Sequence, residues 1–388
     1  MNQRDLATLR RRLNPENRFP SLLRGCYLTP EGEIMSAFVK EVAALPQDEY
    51  EKYVAIFKKI YSGTQGQNLL PVPLGTNAGM EDEVQQLLLR LSNSSLRDDE
   101  AIDLLFGQVI ESIHAEAETR AQSVDETRKA DNRLVLLLGD TIDLRHRRSD
   151  GEEDPDRSET QFSYILCAVC PVKPTKPTLA WCADDQDFVA KPENWTVSSP
   201  EMGFLFPAME EGGADIGCAM LYTKSAENTH EGFVRKVFQC EPLQAADEQR
   251  STVQDVLTTA LAEECSLDVV QAVHEQLTVM LAEQKEDKQA EPLQLSRKDM
   301  REVLEGAGVS QEKAEAFEQG FTDAFGSYGQ IPAVNVMPTR QYKVSTPDVT
   351  ITVAPDKSEL VQTRMIDGLR YILIRAEGGV EVNGIPVV

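Results

Sequence analysis

The chain has 388 residues, 41% hydrophobic and 27% charged. That balance excludes a collagen-like, low-complexity or wholly disordered protein and leaves room for two or three domains. Lys and Arg number 39 against 64 Asp and Glu, a formal net charge of −25, and a field of that sign repels phosphate backbones and anionic headgroups. Nucleic acid is therefore disfavoured as a partner of the main body, and a membrane surface is not expected.

The first 30 residues depart from the trend, with six Arg against two acids. They hold no apolar run of the length a secretory signal needs, and the longest apolar block, Leu134 to Leu138, is far short of a membrane span of about 20 residues. Seven Cys scattered through a chain of this size read as reduced thiols, so a cytoplasmic location is expected.

Residues 1–130 read as a mainly helical N-terminal region. Leu6, Leu9 and Leu13 repeat at helical spacing and Asn14-Pro15 ends that helix. An extended piece follows over 22–28. A helix is then expected around Phe38, Val42 and Leu45, and a second around Tyr53, Ile56, Phe57, Ile60 and Tyr61. The Pro/Gly-rich stretch 70–79 reads as a loop, and two further helices carry Val84 to Leu91 and Ile102 to Ile113.

The period changes at 131, where an α/β core over 131–290 begins. Leu134–Leu138 is a short continuous apolar run between polar breakers, the pattern of a buried strand. Further strands are expected over 162–172, 178–182, 203–206 and 216–223. The connections among the first three show no helical pattern, which favours antiparallel pairing. One connection, 149–160, holds six acids and one Arg in twelve residues and reads as a solvated loop. Helical stripes return at Val253–Leu261 and Val269–Leu281, the latter with Ser266 as N-cap. A charged linker over 283–291 leads to a small helical pair over 291–330, where Ser296 and Asp299 form a capping box and Ser310 caps the second helix. The tail, 331–388, reads as a β-rich module, with Asp367-Gly368 between two strands as a hairpin turn. The fold class is α+β: a helical N-terminal region, a central, mostly antiparallel sheet with flanking helices, and a small β-rich C-terminal domain.

Few motifs carry chemistry. Gly63-Thr-Gln-Gly66 invites a phosphate-loop reading, but it follows a helix and lacks the Gly-Lys-Ser/Thr ending; Gly63 reads as the left-handed residue after a helix C-terminus. Cys167-Ala-Val-Cys170 has no second pair to complete a zinc site. In a strand, positions three apart face opposite ways, so its thiols read as buried hydrophobes. A turn near Pro174-Thr175 would make Cys167 and Cys182 cross-strand neighbours. Asp140 and Asp143 follow a buried strand and Asp215 precedes another; should they converge, they would form a divalent-metal site, with His230 a distant acid/base candidate. Asp also favours turns on its own account. The binding candidates are basic: Arg10, Arg11 and Arg12 on the first helix, and Arg145, Arg147 and Arg148 beside the acidic loop. The helix pair 296–325 looks like a helix-turn-helix, but its acid excess has the wrong sign for a groove reader. No cofactor fingerprint is present and none is expected.

The segments Ser62-Gly-Thr-Gln-Gly-Gln-Asn-Leu-Leu70, Tyr164-Ile-Leu-Cys-Ala-Val-Cys-Pro171, Gly203-Phe-Leu-Phe-Pro207, Thr346-Pro-Asp-Val349 and Val380-Glu-Val-Asn-Gly-Ile385 together resemble an uncharacterised Firmicutes family, common in gut Clostridia, known as domain of unknown function 4317. The resemblance spans nearly the whole chain in order. It implies a bacterial cytoplasmic protein and transfers no catalytic or ligand-binding residue. Gln67 stands where the family pattern has Lys, which weakens an anion-binding reading of the loop. The reading that follows is a non-catalytic binding or interaction protein with a protein partner. The alternatives are a metal-dependent hydrolase built on Asp140, Asp143 and Asp215 and, more faintly, a translation-associated factor.

Overall fold

The computed structural model describes residues 1–16, 18, 21–75, 83–121, 131–144, 160–182, 186–191, 194–210, 212–287, 290–327, 329–337, 341–376, 378–382 and 385–387. The fold is α+β, in two compact units, Met1–Ala245 and Ala246–Val388.

The first unit is a sheet between two helical layers. Its strands are β1 (Leu22–Leu28), β2 (Ile34–Glu41), β3 (Leu69–Pro73), β4 (Asn132–Leu144), β5 (Thr160–Thr175), β6 (Thr178–Cys182), β7 (Asp187–Lys191), β8 (Asn194–Val197), β9 (Met202–Phe206), β10 (Ala208–Glu210), β11 (Gly213–Asp215) and β12 (Cys218–Thr223). The main sheet runs β2-β1-β4-β5-β9-β12-β3, with β8 also paired to β5, and its pairings are antiparallel.

Strand periodicity of two explains the core. On β4, Val135 and Leu137 face one layer while Leu134, Leu136 and Leu138 face the other; on β5, Ile165, Cys167 and Val169 alternate with Leu166, Ala168 and Cys170. A central strand covered on both faces has no polar side, hence the unbroken apolar run in the sequence. One face is covered by α1 (Gln3–Arg12) and α2 (Gln47–Ile60) through Leu6, Leu9, Val54 and Phe57. The other is covered by α3 (Glu83–Asn93), α4 (Asp99–Ala121) and α5, an α-turn Glu231–Phe233 continued by a π-turn Val234–Phe238. The N-terminus of α1 is closed by a capping box: Asn2 accepts from the Arg4 and Asp5 amides, and the Asp5 carboxylate accepts from the Asn2 amide.

Several expectations are corrected here. The helix expected around Phe38, Val42 and Leu45 is strand β2 followed by a 3₁₀ turn, Val42–Ala44. Those three residues stand at helical spacing by coincidence, and pairing to β1 decides the local structure. Part of the Pro/Gly-rich stretch is strand β3; Pro71 and Pro73 are tolerated because β3 is an edge. The change of pattern at 131 separates no unit, since β4 lies against β1 from the N-terminal region. The acidic loop falls almost wholly outside the described residues.

The second unit packs α6 (Ala246–Leu261), α7 (Leu267–Glu286), α8 (Arg297–Gly306) and α9 (Gln311–Phe325) around Val253, Leu277, Met300, Leu304, Phe317 and Phe321. Short strands β13 (Gln294–Ser296) and β14 (Gln330–Pro332) pair beside a helical turn, α10 (Ala333–Val336). Three hairpins follow: β15 (Tyr342–Ser345) with β16 (Thr350–Val353), β17 (Val361–Ile366) with β18 (Leu369–Ile374), and β19 (Val380–Val382) with β20 (Ile385–Val387). Asp367 and Gly368 both have positive φ, as a two-residue hairpin turn demands. Ser266 and Ser296 cap as expected, the latter in a box with Asp299. The charged stretch after 283 begins as the last turn of α7. Ser310 stands at the N-cap of α9, but its hydroxyl donates to Glu264 instead of capping.

Candidate interaction surface

The sequence candidates divide into those the fold uses internally and those it leaves at the surface. Asp140 lies on the face of β4 that meets α1 and α2, with its side chain 2% exposed. Arg12 reaches it with two bonds, Nε to Oδ2 at 2.8 Å and Nη2 to Oδ1 at 3.0 Å, and the Tyr164 hydroxyl donates to Oδ2 at 3.0 Å. A forked guanidinium on a carboxylate is a strong, directional pair. The carboxylate holds the Arg12 pKa above its ordinary value through these hydrogen bonds, against the opposing effect of burial. Burial pushes the Tyr164 and Tyr61 phenols well above theirs. Arg10 donates to the Tyr61 carbonyl. Of the candidates Arg10, Arg11 and Arg12, Arg12 thus ties α1 to β4 and Arg10 ties it to the C-terminal end of α2, while Arg11 is exposed.

The acidic candidates do not meet. Asp143 is three residues beyond Asp140 on the same strand, faces the opposite side and is exposed. Asp215 accepts from the Gly217 amide at 3.0 Å, a local turn bond. His230 belongs to the other helical layer, its Nδ1 3.5 Å from Glu116. Among the described residues, no three His, Cys, Asp or Glu side chains are grouped to hold a metal ion. Arg145, Arg147 and Arg148 lie outside the described residues.

The Gly-bracketed loop spends its own amides. Thr64 donates to the Asn68 side chain, Gly66 to the Leu69 carbonyl, and Gln67, Asn68 and Leu69 to the Thr64 carbonyl. Gly63 has φ +104° and lies against Asn68, so no side chain fits there. Cys167 and Cys170 point into opposite layers of the core. Burial raises the Cys167 thiol and pushes Cys170 up to about 12, far from the thiolate that chemistry needs. Cys182 lies opposite Asp187 and Cys167 opposite Phe204, so the two thiols are not cross-strand neighbours. In the second unit an open groove of about 450 Å³ runs between α6 and α9, lined by Val256, Ala260, Gly320 and the oppositely charged Asp255 and Lys313.

A different surface stands out. Strands β5 and β8 pair Val172 with Val197 and Thr175 with Asn194; β6 and β7 pair Thr178 with Lys191 and Cys182 with Asp187. Every one of these pairs has the same register, so the four strands follow one another as a single long hairpin. β4 stops pairing at Val172 and β9 at Val169. Beyond them the ribbon continues as a two-stranded arm. One face carries Leu179, Trp181 and Phe188, the rings of the last two 5.3 Å apart edge to face; Trp181 is 56% and Phe188 62% exposed. The other face carries Trp195, 54% exposed, beside Pro174. These are the two tryptophans of the chain. The arm was missed as a surface in the sequence because β6 reads as one more sheet strand. The usable signal is that β-forming residues and both tryptophans stand among the breakers Pro174, Pro177 and Pro192.

Residues 1–385 match a family model described as a domain of unknown function (DUF4317). The chain belongs to that family. The match crosses both units, so arm and C-terminal hairpins are alike part of a DUF4317 chain. No curated protein and no solved structure matches it. Among the described residues, no helix of this DUF4317 protein is long and apolar enough to cross a membrane.

Proposed function

We propose that this DUF4317 chain is a non-catalytic, cytoplasmic binding protein from a Firmicutes bacterium, and that its β-arm docks on a partner protein. The observation that carries the reading is the exposed face of Leu179, Trp181 and Phe188. Aromatic side chains of this size present about 150–250 Å² each, so this face leaves roughly 300 Å² of contiguous apolar surface in water. Exposed apolar patches of this order are often functional, and Trp and aromatic neighbours are the residues that dominate binding energy. A free two-stranded ribbon is also marginally stable by itself and gains from being covered. Charge supports a protein over a nucleic acid: residues 173–197 hold three Lys against four acids on a chain of net −25. Buried free thiols at Cys26, Cys167 and Cys170 support a reducing compartment.

The test uses the tagged full-length chain and a Trp181→Ala/Phe188→Ala variant as bait in the native cytoplasmic extract. The expected result is a stoichiometric protein captured by the parent and lost from a variant that melts at the same temperature. Adding the purified partner should shift tryptophan emission to the blue, since both reporters lie on the arm. Equal capture by both baits overturns the reading. So does the absence of a partner combined with magnesium-dependent turnover that Asp140→Ala abolishes.

A further inference from the structure

We infer that the outer edge of β2 is a strand-addition site that takes an extended, basic and apolar segment of a partner protein. The inference is independent of the arm and concerns the opposite side of the β5 strand pairings.

The two edges of the main sheet are built differently. The β3 edge carries Pro71 and Pro73, which remove backbone donors and block a further strand. The β2 edge carries no proline over its eight residues, Ile34–Glu41. Its pairing to β1 shifts register between Tyr27 and Leu28, opposite Met35, and is regular from Ser36 to Glu41. Alternate N–H and C=O groups along that stretch point away from β1, and no other described strand pairs with them. On one face of the edge, Ala37 and Val39 are both exposed, Val39 by 52%. An added strand would cover them with its own alternate side chains.

Charge selects the occupant. Glu31 and Glu33 precede the strand and Glu41 ends it; all three are exposed, and none makes an ion pair among the described residues. The one basic residue on the strand, Lys40, is already bonded to Glu49 and lies 5.4 Å from the Phe38 ring and 5.5 Å from the Tyr53 ring. The edge is therefore a line of backbone groups with an apolar middle and two acidic ends, on a chain of net charge −25. A second copy would bring the same glutamates and the same net charge against it. A segment with small apolar residues in its middle and Lys or Arg at its ends matches on both counts.

The probe is a fluorescein-labelled peptide, Lys-Lys-Val-Thr-Val-Thr-Val-Lys, titrated against the full-length chain. Expected are saturable binding and slowed amide exchange confined to 34–41. Val39→Lys should weaken binding at least about tenfold by placing a charge in the apolar middle. Glu33→Lys/Glu41→Lys should weaken it about tenfold at low salt, the difference shrinking at about 0.5 M salt as screening takes hold. All of these substitutions are at exposed positions and leave the core intact. The peptide with N-methylated amides keeps its side chains, loses its donors and should not bind. Absence of binding, equal binding of a peptide with Glu in place of Lys, equal binding of the N-methylated peptide, or slowed exchange elsewhere each overturns the inference. A dimer in sedimentation that Val39→Lys converts to a monomer overturns it in favour of a second copy. The arm test reads different residues, so either proposal can fail alone.

Discussion

Replacing Arg12 by Ala strips the buried Asp140 carboxylate of both guanidinium bonds and leaves the Tyr164 hydroxyl donating to it. Breaking a buried ion pair by removing one partner costs about 3–5 kcal/mol, because an uncompensated charge stays behind. The Asp140 side chain is 2% exposed but that of Arg12 is 30% exposed, so water partly screens the pair and the expected loss is about 2–4 kcal/mol. For a unit of this size, each kcal/mol lowers the melting temperature by about 2–4 °C, so the variant should melt roughly 4–16 °C lower. Circular dichroism is the assay of choice, since tryptophan emission reports the arm instead of the sheet. One control sharpens it. Arg12→Ala on an Asp140→Asn background should cost far less, giving a coupling of at least about 1 kcal/mol in the double-mutant cycle. A loss under about 1 kcal/mol that is additive with Asp140→Asn would refute the claim that this pair anchors α1.

Burial raises the Cys170 thiol to about 12 and the Cys218 thiol to about 11 from an ordinary value near 9. Folding thus favours the neutral thiols, and that stability is complete below about pH 9 and drains away as pH rises to 11–12; urea midpoints should fall over this range, less steeply in Cys170→Ala. Gly203→Ala should cost more than about 3 kcal/mol or abolish soluble expression, because a Cβ there would overlap the Cys167 carbonyl oxygen of the neighbouring strand; a variant melting within 2 °C of the parent, as about 0.5–1 kcal/mol would allow, would contradict the geometry. Gly25→Ala should displace the Phe38 ring that lies across Gly25, and Phe38→Ala should suppress part of that loss in a double mutant. Trp181→Ala should change stability by less than about 0.5 kcal/mol in thermal scans, as expected for a side chain outside the cores.

Local chemistry was legible where one short segment decides the outcome. Leu134–Leu138 announces a strand covered on both sides, Asp367-Gly368 a hairpin turn, and Ser296 with Asp299 a helix start. Misreadings arise where a distant partner decides. Phe38, Val42 and Leu45 satisfy a helical period, yet the pairing of Phe38 with Gly25 makes their neighbourhood an edge strand. Prolines hid β3 because the sequence does not say that its outer side faces no strand. The partnership of Arg12 and Asp140 spans 128 residues, and no spacing rule links them. Their placement on one basic helix and after one buried strand was visible; that each satisfies the other was not. The arm shows the same limit: each of its strands is short and ordinary, and only the shared register reveals one continuous ribbon.

That continuity has a mechanical corollary. The ribbon grows out of β5, which is flanked on both sides and lines both cores, instead of from an expendable rim. Tension or clamping at the tip is thus delivered straight to the keystone of the first unit. A protein that grips the tryptophans would stiffen the middle of the sheet at a distance, and the tip would in turn sense whether that middle is intact.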